Sequence, residues 1–134
     1  MKKVLILCTG NSCRSILAEA LINARYEGKI KAYSAGVRAN GKVNPNAKQL
    51  LCQRGIWREE YHSKTLESVM GEEFDLVVSV CDHAKESCPL FPVPIERLHQ
   101  SFPDPDGRPM EVFERVYESI ERELLPKIAA KLGV

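Results

Sequence analysis

The sequence predicts an α/β fold, a parallel sheet covered by helices on both faces, and three observations carry that expectation. Short apolar runs rich in branched residues, "VLIL" and "DLVVSV", alternate with segments whose apolar residues recur at helical spacing. The chain has 134 residues, enough for one core, so residues 1–134 are read as a single domain without repeat or linker. Residues capable of chemistry also follow the strands. Cys8 follows the first, Cys81 the third and Asp104 the fourth, and right-handed crossovers bring such positions to one edge of a parallel sheet.

Residues 3–7 read as a buried strand, apolar and β-branched. Ser15 to Glu27 reads as a helix, with Ile16, Leu17, Ala20, Leu21 and Ala24 on one face and Gly28 as its stop. "KIKAYSAG" is a second strand that ends in a turn of small residues. Asn44-Pro45 opens another helix, the asparagine capping and the proline sitting in the first turn, and Ala47, Leu50 and Leu51 carry it to Gly55. "FDLVVSV" at 74–80 is the clearest buried strand, and "PIERLHQSF" a weaker fourth strand or loop. From Pro109, the residues Val112, Phe113, Val116, Tyr117, Ile120 and Leu124 form a long amphipathic helix that Pro126 should kink or restart.

Nineteen Lys and Arg face 18 Asp and Glu, so no basic excess points to nucleic acid or to an anionic membrane. No apolar run approaches a membrane span. "MKKVLIL" imitates a signal peptide only briefly, because its apolar part gives way to Cys8 and polar loop residues. A cytosolic protein is expected, and one compact domain of balanced charge makes a monomer the default. The five cysteines, Cys8, Cys13, Cys52, Cys81 and Cys88, are odd in number, and a reducing compartment disfavours structural disulfides. Their spacings fit zinc knuckles poorly, so no metal is expected from them and catalytic or redox thiols remain. Cys13 reads as a small apolar filler and Cys52 as core. His62, His83 and His99 are scattered and none is read as catalytic, although His83 stands close enough in sequence to influence Cys81. Trp57 and Tyr61 read as packing residues.

The stretch "CTGNSCRS", residues 8–15, joins the first strand to the first helix. Backbone amides of such a loop, together with a helix N-terminus, make a cradle for a tetrahedral anion. The loop residues Thr9, Gly10, Asn11, Ser12, Cys13 and Arg14 would form it. Gly10 and Asn11 suit left-handed backbone angles, and Arg14 offers a planar pair of donors. The same positive field should make Cys8 a thiolate near neutral pH. Ser15 would donate to that sulfur or cap the helix. A buried strand-end cysteine beside a capping turn is the plainer alternative.

Taken with "YSAG" at 33–36, "DLVVSVC" at 75–81, the pair Cys81 and Cys88, and "DP" at 104–105, this loop resembles the low-molecular-weight protein tyrosine phosphatase superfamily. Within it the match is to the thioredoxin-coupled arsenate reductases, over essentially the whole chain. The resemblance implies a four-stranded parallel sheet, Cys8 as nucleophile, Arg14 as oxyanion clamp and Asp104 as the acid that protonates the leaving oxygen. It implies Cys81 and Cys88 as second and third thiols of a relay that reduces arsenate, with thioredoxin, or alternatively glutaredoxin, as reductant. A phosphatase for phosphotyrosine or small phosphate esters has no use for "CDHAKESC", and "DGR" after the Asp-Pro offers no ring to grip an aryl substrate. That phosphatase, and a non-catalytic redox or oxyanion sensor, are the competing readings. If the segment between Cys81 and Cys88 were helical, the two would stand roughly ten ångströms apart. That exceeds disulfide reach, so the segment would have to unfold during turnover. Asn11, Glu19 and Ser34 match potassium-binding positions of some such reductases. Thr65 stands where an aspartate is expected and Lys64 beside it could supply the charge, so no specific potassium site is expected.

Overall fold

The computed structural model describes residues 1–82 and 95–134. Four strands, β1 (Lys2–Cys8), β2 (Ile30–Gly36), β3 (Leu76–Ser79) and β4 (Glu96–His99), form one parallel sheet in the order β2-β1-β3-β4. Helices α1 (Arg14–Arg25), α2 (Pro45–Gln53), α3 (Met110–Ser119) and α4 (Leu125–Leu132) accompany it, with a short 3-10 turn at Leu66–Val69. Among the described residues, the predicted alternation of strand and helix is observed from β1 to β3, and helices follow β4.

β1 is central. Val4, Leu5, Ile6 and Leu7 are each 0% exposed, and because neighbouring side chains alternate across a strand, both faces of the sheet centre are covered. The chain runs from β1 to β2 on one side, then crosses to β3 on the other, so the order reverses between β1 and β3. Such a reversal opens a crevice at the carboxyl ends of the strands. Cys8 ends β1, and Cys81 lies two residues past β3.

α1 is buried more completely than one apolar stripe requires. Ser15 to Asn23 are all buried, because the helix packs on β1 and β2 with α2 and α3 against its other sides. At α2, the Asn44 side chain accepts from the amides of Asn46 and Ala47, with Pro45 in the first turn, as expected. Cys52 departs from expectation. It is exposed, since the buried face of α2 is Ala47, Leu50 and Leu51 and Cys52 falls one step round the helix. The last helix is interrupted where Pro126 requires it. A wide turn of the π type spans Ile120–Leu124, and α4 restarts with Pro126 in its first turn, where a missing N–H costs nothing.

Gly36, at the end of β2, has no room for a side chain. A Cβ there would lie 2.7 Å from the Thr9 carbonyl oxygen and 3.0 Å from Ala39 Cα, both backbone atoms. Gly36→Ala should therefore push the 8–15 loop outward. We expect a loss of about 1–3 kcal/mol in denaturant unfolding and weaker phosphate binding by calorimetry. Unchanged binding would mean that the loop does not depend on this contact.

Candidate active site

The 8–15 loop is held from outside by its carbonyls. Cys8, Thr9, Gly10 and Ser12 accept backbone hydrogen bonds from Val37, Arg38, Asn40 and Asn44, at 3.1, 2.9, 3.1 and 3.0 Å. With these carbonyls turned out toward the 37–44 strap, the amides of the loop are left to face the other way, as an anion cradle would require. The left-handed angle falls on Asn11, at φ 51°, whereas Gly10 keeps an ordinary φ. A side chain at Gly10 would instead crowd Asn40. The cavity at the loop, of about 170 Å³, is lined by Cys8, Thr9, Gly10, Ser12, Cys13, Arg14, Asn40, Asp104 and Asp106.

Arg14 opens α1 and reaches across the cavity. Its Nη1 donates to the Phe102 carbonyl at 3.0 Å and its Nη2 lies 3.8 Å from Asp104 Oδ2. Its Nε is buried and has no partner among the described residues. A buried donor in a cavity wall is costly unless something accepts from it, and an oxyanion would. Asp104 is more than half exposed, and its Oδ1 accepts from the Asp106 amide at 3.0 Å, which fixes the carboxyl at the cavity mouth. Asn44 Nδ2 donates to Asp106 Oδ1 at 2.7 Å and ties that mouth to α2.

The second thiol stands beside the first. Cys81 is 4% exposed and lies 3.2 Å from Thr9 Oγ1. The neighbouring Cys81 thiol and burial push the Cys8 thiol up, against the downward pull of the Arg14 charge and the Thr9 amide. The positive field expected from sequence to favour a Cys8 thiolate is therefore opposed by burial and by the second thiol. The two buried thiols titrate as a pair, and ionisation of one opposes ionisation of the other. Arg14 and the Thr9 amide pull Cys8 toward its charged form, against that opposition. Cys13 is 2% exposed, and burial raises its thiol to about 11. Cys88 and His83 lie outside the described residues.

The family model described as low molecular weight phosphotyrosine protein phosphatase matches residues 3–133. The chain belongs to that family. An arsenate reductase of Bacillus cereus (strain G9842) is 40% identical over 119 residues, 89% of this chain and 88% of that protein. Among solved structures, an arsenate reductase from Archaeoglobus fulgidus DSM 4304 matches with TM-score 0.78 at 32% identity, covering 98% of this chain and 99% of that one. A low molecular weight protein tyrosine phosphatase from T. tengcongensis matches with TM-score 0.84 at 29% identity, again covering 98% and 99%. The fold is thus common to reductases and phosphatases of the low molecular weight phosphatase family. What separates them must be sought in side chains.

Beneath the loop of this low molecular weight phosphatase-family chain lies a second layer of polar groups. Asn11 does not line the cavity. Its Nδ2 donates to Ser15 Oγ at 2.8 Å and Ser34 Oγ at 2.9 Å, and its Oδ1 accepts from the Lys64 amide. Ser15 sits inside α1 rather than at its cap, a position held by Cys13 without a side-chain bond, so the capping role is corrected. As acceptor from Asn11, Ser15 keeps its own proton to donate. Ser34 Oγ donates to Glu19 Oε1 at 2.6 Å, and Lys64 Nζ lies 3.9 Å from that same oxygen. The three potassium-position residues therefore converge, with an ammonium group facing Glu19. The sequence reading missed Asn40, Ser63 and the 37–44 strap. Ser63 Oγ donates to the Gly10 carbonyl at 3.0 Å, and nothing in the residue types of "GVRANGKVN" announces that its amides serve the loop.

Burial raises the Glu19 carboxyl from 4.5 to about 6, opposed by the Lys64 charge and the Ser34 hydroxyl. The folded protein therefore holds this proton more tightly than the unfolded chain. The stabilising contribution is complete below about pH 4.5 and is lost as pH rises through about 6. Denaturation midpoints should show wild type losing about 2 kcal/mol relative to Glu19→Gln between pH 4 and 6.5. Parallel profiles would place the titration elsewhere.

Proposed function

We propose that this protein reduces arsenate to arsenite with electrons from its own cysteines, and that thioredoxin restores the final disulfide. The observation that carries the proposal is a second buried thiol at the loop, Cys81, 3.2 Å from Thr9 Oγ1 and near enough to Cys8 to push its thiol up. A phosphatase needs one thiol there, and a second one beside it offers an exit for two electrons. The arsenate reductases among the relatives support the same reading.

Arsenate enters the cavity with its oxygens on the loop amides and the Arg14 guanidinium, including the unpaired Nε. The Cys8 thiolate attacks arsenic, and Asp104 gives a proton to the departing hydroxide, which leaves as water. If the proton is still on Cys8, the arsenate dianion accepts it, so the charge balance is unchanged. The Cys81 thiolate then attacks Cys8 Sγ. The S–As bond breaks, its electron pair stays on arsenic, As(V) becomes As(III), and arsenite departs from a Cys8–Cys81 disulfide. Cys88 next attacks Cys81 and frees Cys8. The net reaction consumes one arsenate and two thiols and yields arsenite, a disulfide and water. Thioredoxin, or glutaredoxin in the alternative cycle, reduces that disulfide, and a monomer in a reducing cytoplasm suits both.

Asp104→Asn should slow arsenylation of Cys8 by on the order of 10²-fold while arsenate still competes with phosphate for the loop. Single-turnover thiol loss reads this directly, and an unchanged rate would transfer the role to Asp106. The same cradle accepts phosphate, so slow hydrolysis of an aryl phosphate is expected beside the reductase activity. The test of function is a coupled assay with arsenate, thioredoxin, thioredoxin reductase and NADPH, repeated with glutaredoxin. Arsenate-dependent NADPH oxidation supports the proposal. Fast aryl phosphate hydrolysis with no NADPH oxidation in either system would replace it with the phosphatase reading.

A further inference from the structure

Three residues that the reaction above does not use form a chain of hydrogen bonds beside Cys81. Ser79 ends β3 and pairs in register with His99, which ends β4. Ser79 Oγ lies 2.7 Å from His99 Nδ1, and His99 Nε2 lies 3.0 Å from Asp82 Oδ1. A carboxylate can only accept, so Nε2 carries a proton. In the neutral ring, Nδ1 then accepts from the Ser79 hydroxyl. The ring thereby links the strand before Cys81 to the residue after it.

We propose that His99 is a positioning residue that holds the Cys81 thiol on Cys8 by clamping Asp82 to the end of the sheet. The inference rests on the proposed two-thiol chemistry and deepens it. On the N-terminal side of Cys81, Val80 is fixed twice, its amide donating to the Leu7 carbonyl at 3.0 Å and its own carbonyl accepting from Phe102 at 3.1 Å. On the C-terminal side the Asp82 carboxylate meets His99, and with both neighbours held, the Cys81 sulfur has little freedom. Attack on Cys8 Sγ requires the incoming sulfur to lie in line with the S–As bond, and rates of such steps fall steeply with small misplacements. The clamp is also releasable. The Asp82 side chain is 77% exposed, so water can replace the imidazole when Cys81 must turn to its next partner.

The test separates formation of the Cys8–Cys81 disulfide from chemistry at Cys8 alone. In a Cys88→Ser background, disulfide formation is followed by peptide mapping after quench, once with arsenate and once with diamide, which oxidises two thiols to a disulfide and is itself reduced to the hydrazine. Phosphate affinity and iodoacetamide alkylation of Cys8 report on the loop. His99→Ala should slow disulfide formation at least tenfold with both oxidants and leave phosphate affinity within twofold. His99→Gln, whose amide can still donate to Asp82, should recover most of the rate. Asp82→Ala should match His99→Ala, and the double variant should be no slower than either. Equal rates in wild type and His99→Ala would overturn the proposal, as would an equal loss of phosphate affinity or a failure of glutamine to rescue. Disulfide formation with diamide but not with arsenate, still slowed by His99→Ala, would refute the arsenate chemistry and leave the clamp standing.

Discussion

The Cys8→Ser variant is expected to fold, to bind arsenate and to form no arsenite. Serine nearly matches cysteine in size, so the 8–15 loop keeps its carbonyl bonds to the 37–44 strap and the cradle survives. The hydroxyl, however, is not ionised near neutral pH and cannot open the reaction. Arg14 and the inward amides still hold the anion, so calorimetry should find arsenate affinity within a few-fold of wild type. Arsenite production by the variant above background would remove Cys8 from its assigned role.

Cys81→Ala should divide the two halves of the chemistry. Arsenite formation should fall by on the order of 100-fold or more, because the thiol proposed to attack Cys8 is gone. Aryl phosphate hydrolysis persists, since it needs only the first thiol, the cradle and a proton donor. The variant also removes the largest upward influence on the Cys8 thiol. Iodoacetamide should therefore alkylate Cys8 faster at pH 7 than in wild type, with the pH profile displaced to lower pH. Loss of phosphatase and reductase activity together would mean that Cys81 supports the loop rather than the electron transfer.

The parts of this molecule that were legible in the sequence are those whose signals are local. The run Val4 to Leu7, the Asn44-Pro45 start of α2 and the spacing from Cys8 to Arg14 each describe their own surroundings, and the structure finds the corresponding strand, helix and loop. β4 was faint because Glu96 and Arg97 are exposed at the sheet edge and no apolar alternation marks them. The 37–44 strap was invisible for a different reason. It acts through backbone amides on carbonyls some thirty residues away in sequence, and amides carry no residue signature. At Cys8 the loop and Arg14 are readable from spacing, whereas burial and the neighbouring thiol two residues past β3, which oppose ionisation, are tertiary facts. The convergence of Cys8, Arg14, Cys81 and Asp104 at one end of the sheet follows from its topology, with the strand order reversing between the two cysteines.

In the proposed reaction arsenate draws its two electrons from this chain's own thiols. The direct measurement is a single turnover of the fully reduced protein with arsenate and no external reductant. Arsenite is counted by mass spectrometry, free thiols by titration, and disulfides by peptide mapping. One arsenite and the loss of two thiols per protein are expected, with Cys81 joined to Cys88 in wild type and to Cys8 in Cys88→Ser. Arsenate recovered unchanged with all five thiols free, under conditions where an aryl phosphate is hydrolysed, would contradict it.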